Sequence, residues 1–326
     1  MDYMRYLLIL PIILFSGCSN DSAKTDLSTG FPISVQLDWV AESEHGGFYT
    51  AKALGYFEDE GLNVTLVQGG AGAYPLNKVG ANVSQVGQAD GTSVILAAAN
   101  GAPIINIGAI FQQDPSVLML HASNPVTDWK ELDGRTIMAR PEWPFLPYLE
   151  NRYNITFEVI PQNFQLSRLI QDEEFIQQGF YIAEPYFVEK EGVTLKYLYA
   201  WDAGFDAYTT IFTNKRFARE HPEELKALLR ALKKGYIEYI EGDPEPAHKL
   251  MKTVNAKVSE EYLHWSRNQI INEKLSRGNP SAGFFADYLE ITEERFQNQI
   301  QQLVDLEVIE ANSITTADVM TTEFLP

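Results

Sequence analysis

Two side chains with complementary chemistry stand directly after the first predicted strand. Residues 33–37 (ISVQL) alternate apolar and polar side chains, which is typical of a strand, and Asp38 and Trp39 follow it. The indole of Trp39 offers a flat face for stacking a ring, and the Asp38 carboxylate can accept hydrogen bonds from ring N–H or amino groups. Core packing for Trp39 and a turn cap for Asp38 remain open alternatives.

Further candidate ligand contacts lie where other predicted strands lead into helices. His45 and Gly46 come at the start of a predicted helix, where free backbone N–H groups favour an electron-rich group and glycine permits close approach. Tight packing is the alternative for Gly46. The loop at residues 88–93 opens another helix, and its candidate contacts are Asp90, Thr92 and Ser93. The glycine-rich run 69–73 lacks the lysine of a phosphate loop and is interpreted as bringing Tyr74 to the same place.

In the second half of the chain, Glu184 is the strongest candidate. It follows a predicted strand at residues 179–182, and a carboxylate in this position can accept hydrogen bonds from the N–H groups of a ligand. Tyr181 and Tyr186 flank it as possible stacking partners, with an exposed glutamate as the alternative. Trp143, in the stiff segment RPEWPFLPY at 140–148, could cover a ligand or pack against its own domain.

The elements that position these residues alternate between strand-like and helix-like segments. Strands are predicted at 33–37, 63–67, 85–88 and 103–110, with helices at 45–54, 74–81 and 93–100 between them. This rhythm predicts an open, mostly parallel sheet with helices on both faces. The middle third repeats the pattern at 117–121, 136–139, 179–182 and 194–198, and the chain turns mostly helical from about residue 214. The sequence therefore predicts two doubly wound α/β lobes, with ligands bound at the carboxyl ends of their strands.

The N-terminus has the pattern of an exported lipoprotein. Arg5 precedes the apolar run YLLILPIILF at 6–15, which is too short to span a bilayer as a helix but suits a signal peptide. The following segment FSGC resembles a bacterial lipobox, which predicts lipidation of Cys18 after removal of residues 1–17; an ordinary signal peptide is the alternative. Cys18 is the only cysteine, so a disulfide or a thiolate metal site is excluded. The polar segment 18–30 is interpreted as a tether.

Seven segments carry a resemblance to one family, the substrate-binding proteins similar to thiamine-pyrimidine synthases, which also embraces sulfonate, nitrate and riboflavin binders. The resemblance covers about residues 31–240 and implies a type II periplasmic-binding-protein fold whose two lobes close on a cleft about a hinge. The segments are LDW at 37–39, EHGGFYTA at 44–51, GYFEDEGL at 55–62, GQADGTS at 87–93, FQQDP at 111–115, WKELDGR at 129–135 and AEPY at 183–186.

The predicted organisation follows from this resemblance. Lobe I is expected to comprise residues 31–112 and to resume at 204–326, lobe II comprises 113–203, and Gly204 and Asp206 are hinge candidates. The segment at 140–148 departs from the glycine- and serine-rich anion loop of many relatives, which disfavours a sulfonate or nitrate ligand.

The resemblance implies a lipid-anchored solute-binding subunit of an ABC importer, facing outward from the cell envelope. Its expected partners are a permease, an ATPase and a small molecule, and it is expected to act as a monomer without metal or cofactor. A net charge of −19 argues against nucleic acid as a partner. A thiamine pyrimidine precursor is the first ligand hypothesis, with riboflavin or an unrelated small acid or amine as alternatives. An enzyme of the pyrimidine-synthase type or a ligand sensor is the competing class. The synthases carry a cysteine-rich segment that this chain lacks.

Overall fold

The computed structural model describes residues 30–205, 207–278 and 285–326. The predicted signal peptide, Cys18, the tether before Gly30 and the hinge candidate Asp206 therefore lie outside the described residues. Within the described ranges, no helix combines the length and the apolar character needed to cross a membrane.

Ten strands form two five-stranded sheets. In the first sheet the order is β2-β1-β3-β10-β4, and in the second it is β7-β6-β8-β5-β9. The strands of the first sheet are β1 Phe31–Gln36, β2 Leu62–Val67, β3 Val86–Asp90, β4 Ile104–Phe111 and β10 Thr209–Asn214. Those of the second are β5 Ser116–His121, β6 Thr136–Ala139, β7 Glu158–Pro161, β8 Ile176–Phe180 and β9 Leu195–Tyr199.

Thirteen helices surround the sheets in the described part of the chain. Those that precede β10 are α1 Gly46–Ala53, α2 Tyr56–Asp59, α3 Pro75–Gly80, α4 Gly91–Ala99, α5 Phe145–Tyr153, α6 Ser167–Gln171 and α7 Glu184–Lys190. Those that follow it are α8 Lys215–Glu220, α9 Pro222–Glu241, α10 Glu245–Val254, α11 Glu260–Asn272, α12 Glu293–Asp305 and α13 Thr316–Val319.

Each sheet contains one strand that runs against the others. β1 pairs in parallel with β2 and β3, and β6 pairs in parallel with β7 and β8. β5 and β10, the first strands formed after the chain passes from one sheet to the other, are antiparallel to both of their neighbours. The mostly parallel α/β architecture predicted from the sequence is therefore confirmed.

Both sheets are covered on both faces, which explains their apolar strands. Along β5, Val117 and Met119 join one hydrophobic cluster, whereas Leu118 and Leu120 join another on the opposite face. Successive side chains of a strand point to opposite faces, so a strand buried on both sides is apolar throughout. The first sheet is likewise packed against one cluster that contains α1 and α9 and against others that contain α3, α4 and α12. Both sheets are thus doubly wound.

β10 was not predicted from the sequence, because its side chains TTIFTN are mostly polar although all six are buried. Their polar groups are satisfied by backbone carbonyls that are distant in sequence: the Thr213 hydroxyl donates to the Gln85 carbonyl at 2.7 Å, and the Asn214 amide donates to the Val79 and Gly80 carbonyls at 3.0 Å. Buried polar groups are tolerated when they are hydrogen-bonded in this way.

Candidate functional site

The carboxyl ends of the strands from both sheets bring charged side chains into one region. From the first sheet, Asp38 follows β1 and Asp90 ends β3, and Asp114 stands in the crossing from β4 to β5. From the second, Arg140 follows β6 and Glu184 follows β8. These groups interact electrostatically between the sheets, because Arg140 lowers the pKa of Asp90 and of Glu184 against the larger effect of their burial. We call this region the acidic cleft, formed by Asp38, Glu42, Glu44, Asp90, Asp114, Glu184 and Arg140.

The loop after β1 supplies most of the carboxylates of the acidic cleft. The buried His45 places its Nε2 atom 3.1 Å from an Asp38 carboxylate oxygen and 3.3 Å from a Glu44 oxygen. Its Nδ1 atom is buried and has no hydrogen-bond partner within the part of the chain that is described. Ligand atoms of these three residues lie within 4.8 Å of one another, so they could also hold a cation. The sequence-based prediction of no metal here stays a prediction.

Burial and neighbouring acidic groups raise the pKa of two carboxyl groups in the loop after β1. Burial, followed by the Glu184 and Asp38 charges, raises the pKa of Glu42 to about 8, although the Tyr262 hydroxyl donates to this carboxylate at 2.9 Å. Burial and the neighbouring carboxylates also raise the pKa of Glu44 well above its ordinary value. At neutral pH the Glu42 side chain therefore favours the protonated form until a positive charge or an N–H donor arrives.

Asp90 and Asp114 form a second close pair, beside the two segments that connect the sheets. Asp90 caps α4 by accepting a hydrogen bond from the Ser93 amide at 2.7 Å, and burial together with Asp114 raises its pKa to about 6. Asp114 accepts from the Ser116 amide at 3.0 Å and from the Thr209 hydroxyl at 3.1 Å, and burial raises its pKa as well. Each sheet with its helices is called a unit from here on. The Asp90–Asp114 pair therefore lies beside the chain segments that connect the two units.

Polar groups without partners lie next to this pair. In the described residues, both side-chain amide atoms of Gln88 and the hydroxyl of Thr92 are buried without a hydrogen-bond partner. Such groups cost free energy when they are left unsatisfied, so they are suited to a polar ligand. Gln88 ranks with the predicted contacts Asp90 and Thr92, although the sequence alone offered no signal beyond its loop.

The second sheet contributes Glu184 and one aromatic side chain. Glu184 begins α7, and its carboxylate accepts a hydrogen bond from the Phe180 amide at 2.7 Å. Burial raises its pKa. Trp39, half-buried after β1, meets Phe164 from the second sheet's β7–α6 connection, with 5.1 Å between the ring centroids. The rings of Trp39 and Phe164 thus join the two units, one from each side.

Two of the predicted contacts are engaged in packing. Trp143 is 1% exposed in the core beside β6, with its ring 4.8 Å from that of Phe145, so it presents no surface to a ligand. A Cβ atom on Gly46 would lie 2.1 Å from the Tyr239 ring, because α1 and α9 cross there. The packing alternatives therefore account for the positions of both residues, and their contact with a ligand stays a prediction. His45, which precedes Gly46 in the chain, contacts Asp38 and Glu44 of the acidic cleft.

The predicted tyrosines make other ring contacts or are exposed to solvent. Tyr186 is buried against Tyr262 and Trp265 at ring distances of 5.2 and 5.5 Å. Tyr181 packs edge-on against neighbouring tyrosines of β9 at about the same distance. Tyr74 is 68% exposed before α3. We therefore leave these three, with Trp143 and Gly46, out of the site that is proposed below.

Sequence reasoning did not select Glu42, Glu44, Asp114, Arg140 or Phe164. Glu44 and Asp114 stand inside two of the family-like segments, and Arg140 directly follows a predicted strand. Their positions after strands were therefore the usable signal. Glu42 and Phe164 depend on how the loops fold back, which the sequence pattern does not specify.

Two doubly wound sheets that meet at their strands' carboxyl ends and are joined by two chain crossings define a periplasmic-binding-protein fold. A ligand-binding component of an ABC-type import system from Staphylococcus aureus has this fold, with a TM-score of 0.64 at 12% identity over 90% of this chain and 97% of that one. The profile of the NMT1/THI5-like family matches residues 42–247, and the chain belongs to this family. The family resemblance and the fold predicted from the sequence are both confirmed.

Two curated relatives cover most of the chain. A formylaminopyrimidine-binding protein from Halalkalibacterium halodurans is 25% identical over 310 residues, which are 88% of this chain and 90% of the relative. The riboflavin-binding protein RibY from Chloroflexus aurantiacus is 23% identical over 270 residues, 74% of this chain and 75% of the relative. The relatives matched over most of their length are thus named as binding proteins.

Proposed function

We propose that this chain is the extracytoplasmic substrate-binding component of an ABC importer, and that its acidic cleft binds a small, flat heteroaromatic ring bearing amino groups, with a thiamine pyrimidine precursor as the first candidate. The observation that carries this proposal is the concentration of carboxyl groups in the cleft. Six carboxyl groups and one arginine surround the ends of the strands, next to the paired rings of Trp39 and Phe164.

The chemistry of these groups selects among ligands. Carboxylates and the unpaired Gln88 amide oxygen accept hydrogen bonds from amino and ring N–H groups. A sulfonate or nitrate ion would instead bring a further negative charge beside carboxyl groups that already raise one another's pKa. An aromatic ring placed against Trp39 or Phe164 would gain stacking contacts. The relative named for a formylaminopyrimidine supports the same ligand class.

Riboflavin is the second candidate, supported by the relative RibY and by the same pair of aromatic rings. Its ring system is larger and carries ring N–H and carbonyl groups, so it would depend less on carboxylates than an aminopyrimidine does. Binding without turnover is proposed over enzyme chemistry, because both relatives are named as binding proteins. The sole cysteine, Cys18, stands in the predicted lipobox rather than near the cleft residues in sequence.

A ligand panel tests the proposal on the full chain. Thermal unfolding is measured with an aminopyrimidine thiamine precursor, a formylaminopyrimidine, riboflavin, an alkanesulfonate and nitrate. A ligand present at a hundred times its Kd adds about 2.7 kcal/mol to the free energy of unfolding. We expect a clear shift with the pyrimidines that is lost in Glu184→Gln. The control is Glu191→Gln, at the exposed far end of α7, which should keep the shift.

The other outcomes decide between the alternatives. A shift with riboflavin alone would replace the pyrimidine by the second candidate. Shifts confined to sulfonate or nitrate would contradict the amino-ring ligand while keeping a binding function. Consumption of the pyrimidine during the assay would contradict the non-enzymatic role.

The proposal also includes attachment to the membrane through Cys18, with the permease and ATPase as partners and the protein as a monomer facing outward from the envelope. The support is the apolar run at 6–15 that ends in a small-residue segment before Cys18. Cell fractionation tests it: the chain should sediment with membranes, and Cys18→Ala should release it. A variant that still sediments would contradict the anchor.

A further inference from the structure

We propose a second site, separate from the acidic cleft: a zinc-type divalent metal site between α10 and α11, with Glu245, His248, Glu260 and His264 as ligands. One ligand atom from each of these residues lies within 4.8 Å of all the others. None of the four belongs to the acidic cleft or to any segment on which the family resemblance rests.

The helices present these residues in matching pairs. Glu245 and His248 are three residues apart on α10, and Glu260 and His264 are four apart on α11. Both spacings place two side chains on one face of a helix. Across the helix pair, His248 Nδ1 lies 2.9 Å from a Glu260 oxygen, and His264 Nε2 lies 3.0 Å from a Glu245 oxygen. Each helix therefore offers one imidazole and one carboxylate to the same point.

Neighbouring groups orient the two ligands of this site that are least exposed. The side chain of His248 is fully buried, and its second nitrogen, Nε2, lies 3.2 Å from the buried Tyr239 hydroxyl. A partner on the second nitrogen fixes the ring and leaves Nδ1 for a metal, as in many zinc proteins. On Glu260, Lys252 binds Oε2, which turns the other oxygen, Oε1, toward both histidines.

The donor set selects the class of metal. Two imidazole nitrogens with two carboxylate oxygens suit zinc and related transition metals, which prefer four-coordinate sites of this composition. Calcium and magnesium prefer sets made only of oxygen atoms. The ring contact between His248 and His264, at 4.8 Å between centroids, leaves both imidazoles on the same side of the helix pair.

A metal at this site would stabilise α11, the helix that contacts both units. α11 reaches the second unit through the ion pair of Glu261 with Lys190 at 3.1 Å and through the Ser266 hydroxyl, which donates to the Ile182 carbonyl at 2.6 Å. The same helix supplies Tyr262 to Glu42 in the acidic cleft. Metal binding would therefore stabilise the helix that supports one wall of the cleft.

The test is zinc titration of the full chain by calorimetry, with cobalt absorption as the readout of coordination. We expect one tightly bound zinc per chain and the visible bands of tetrahedral cobalt. Because second-sphere changes already cost about 10- to 100-fold in metal affinity, His264→Gln should lose at least about tenfold. His264 is 43% exposed, so this variant should fold, which circular dichroism checks. Tyr239→Phe should weaken binding through His248 while leaving the cobalt bands tetrahedral.

The matched control is His221→Gln, which alters another partly exposed histidine that faces a glutamate, Glu224, at 3.8 Å. It should bind zinc as the wild type does. Unchanged zinc affinity in His264→Gln and in Glu245→Gln would overturn the proposal. So would loss of the zinc in His45→Gln, since that would place the metal in the acidic cleft.

Discussion

The two sheets of this protein have matching topology and unlike chemistry. In each, the first three parallel strands lie in the order second, first, third, and an antiparallel strand separates them from the last. At the carboxyl edge of the first sheet stand Asp38 and Asp90 with the loop carboxyl groups of Glu42 and Glu44. The second sheet presents Glu184, Arg140 and the ring of Phe164 at its own edge. The topology thus decides where a residue comes to lie, whereas the residue types of each loop decide what the two edges can bind.

The largest expected difference between the two units comes from replacing one tryptophan in each. Trp143 is packed in the core of the second unit, so Trp143→Ala should lower the free energy of unfolding by about 3–5 kcal/mol, as large-to-small core changes do. Trp39→Ala should cost much less stability, because the side chain is half-buried, but should weaken ligand binding. Denaturant unfolding and calorimetric titration measure the two effects. Ligand loss with unchanged stability in Trp143→Ala would return that residue to the site.

The acidic loop of the first unit should make stability depend on pH. The folded state raises the pKa of Glu42 from about 4.5 to about 8, so it binds a proton that the unfolded chain releases. Its stabilising contribution is complete below pH 4.5 and is lost as the pH rises through about 8. We expect the free energy of unfolding to fall across this range by a few kcal/mol, at roughly 1.4 kcal/mol per pKa unit.

Glu42→Gln should flatten that profile, since glutamine keeps an acceptor for Tyr262 but does not titrate. Denaturant unfolding between pH 4 and 9 measures it. Glu191→Gln, an exposed change directly after α7, should keep the profile of the wild type. The other titratable groups around Glu42 are Glu184, Asp38, Glu44 and Tyr262, and the first two add to its raised pKa. A profile that stays steep in Glu42→Gln would assign the pH dependence to another carboxyl group, such as Glu44.

A pair of glycines tests packing within the first unit alone. Gly46→Ala places a methyl group 2.1 Å from the Tyr239 ring, and overpacking of this kind costs about 1–3 kcal/mol or more. Gly80→Ala, in α3, meets its nearest atoms only at 3.9 Å and should be neutral or slightly stabilising. Thermal unfolding compares the two. Equal melting temperatures would mean that α1 and α9 can separate, and ligand approach at Gly46 would become tenable again.

The sequence predicted the strands best where they are buried on both faces. β4, β5 and β6 agree with their predicted ranges to within about one residue, because continuous apolar runs have few other interpretations. β10 was missed because its buried threonines and asparagine find partners that lie far away along the chain. Polar residues that are satisfied by distant backbone groups look like loop residues in a sequence.

The site was predictable only in part, and for a related reason. Asp38, Asp90 and Glu184 were selected because carboxyl ends of parallel strands share one edge, and all three reach the acidic cleft. The sequence could not show that Trp143 differs from these residues, since a tryptophan after a strand can point outward or into the core. The metal ligands His248 and His264 lie on helices whose mutual packing has no local signal.

The smallest expected effect concerns Arg140, a cationic side chain that acts on Asp90, Asp114 and Glu184. Arg140 is exposed at the end of β6 and lowers the pKa of all three carboxyl groups. At pH 8, where Asp90 is ionised, Arg140→Gln leaves the cleft more negative and should tighten binding of an amino-bearing ring by up to about tenfold, or about 1.4 kcal/mol. Calorimetric titration at low salt measures it, with Arg135→Gln, a half-buried position directly before the same strand, as the control. If affinity instead falls, Arg140 contacts an electron-rich group of the ligand. The edge of the second sheet would then contribute a hydrogen-bond donor to ligand recognition. The two sheets would differ in offering donors or acceptors to the ligand, rather than in their net charge.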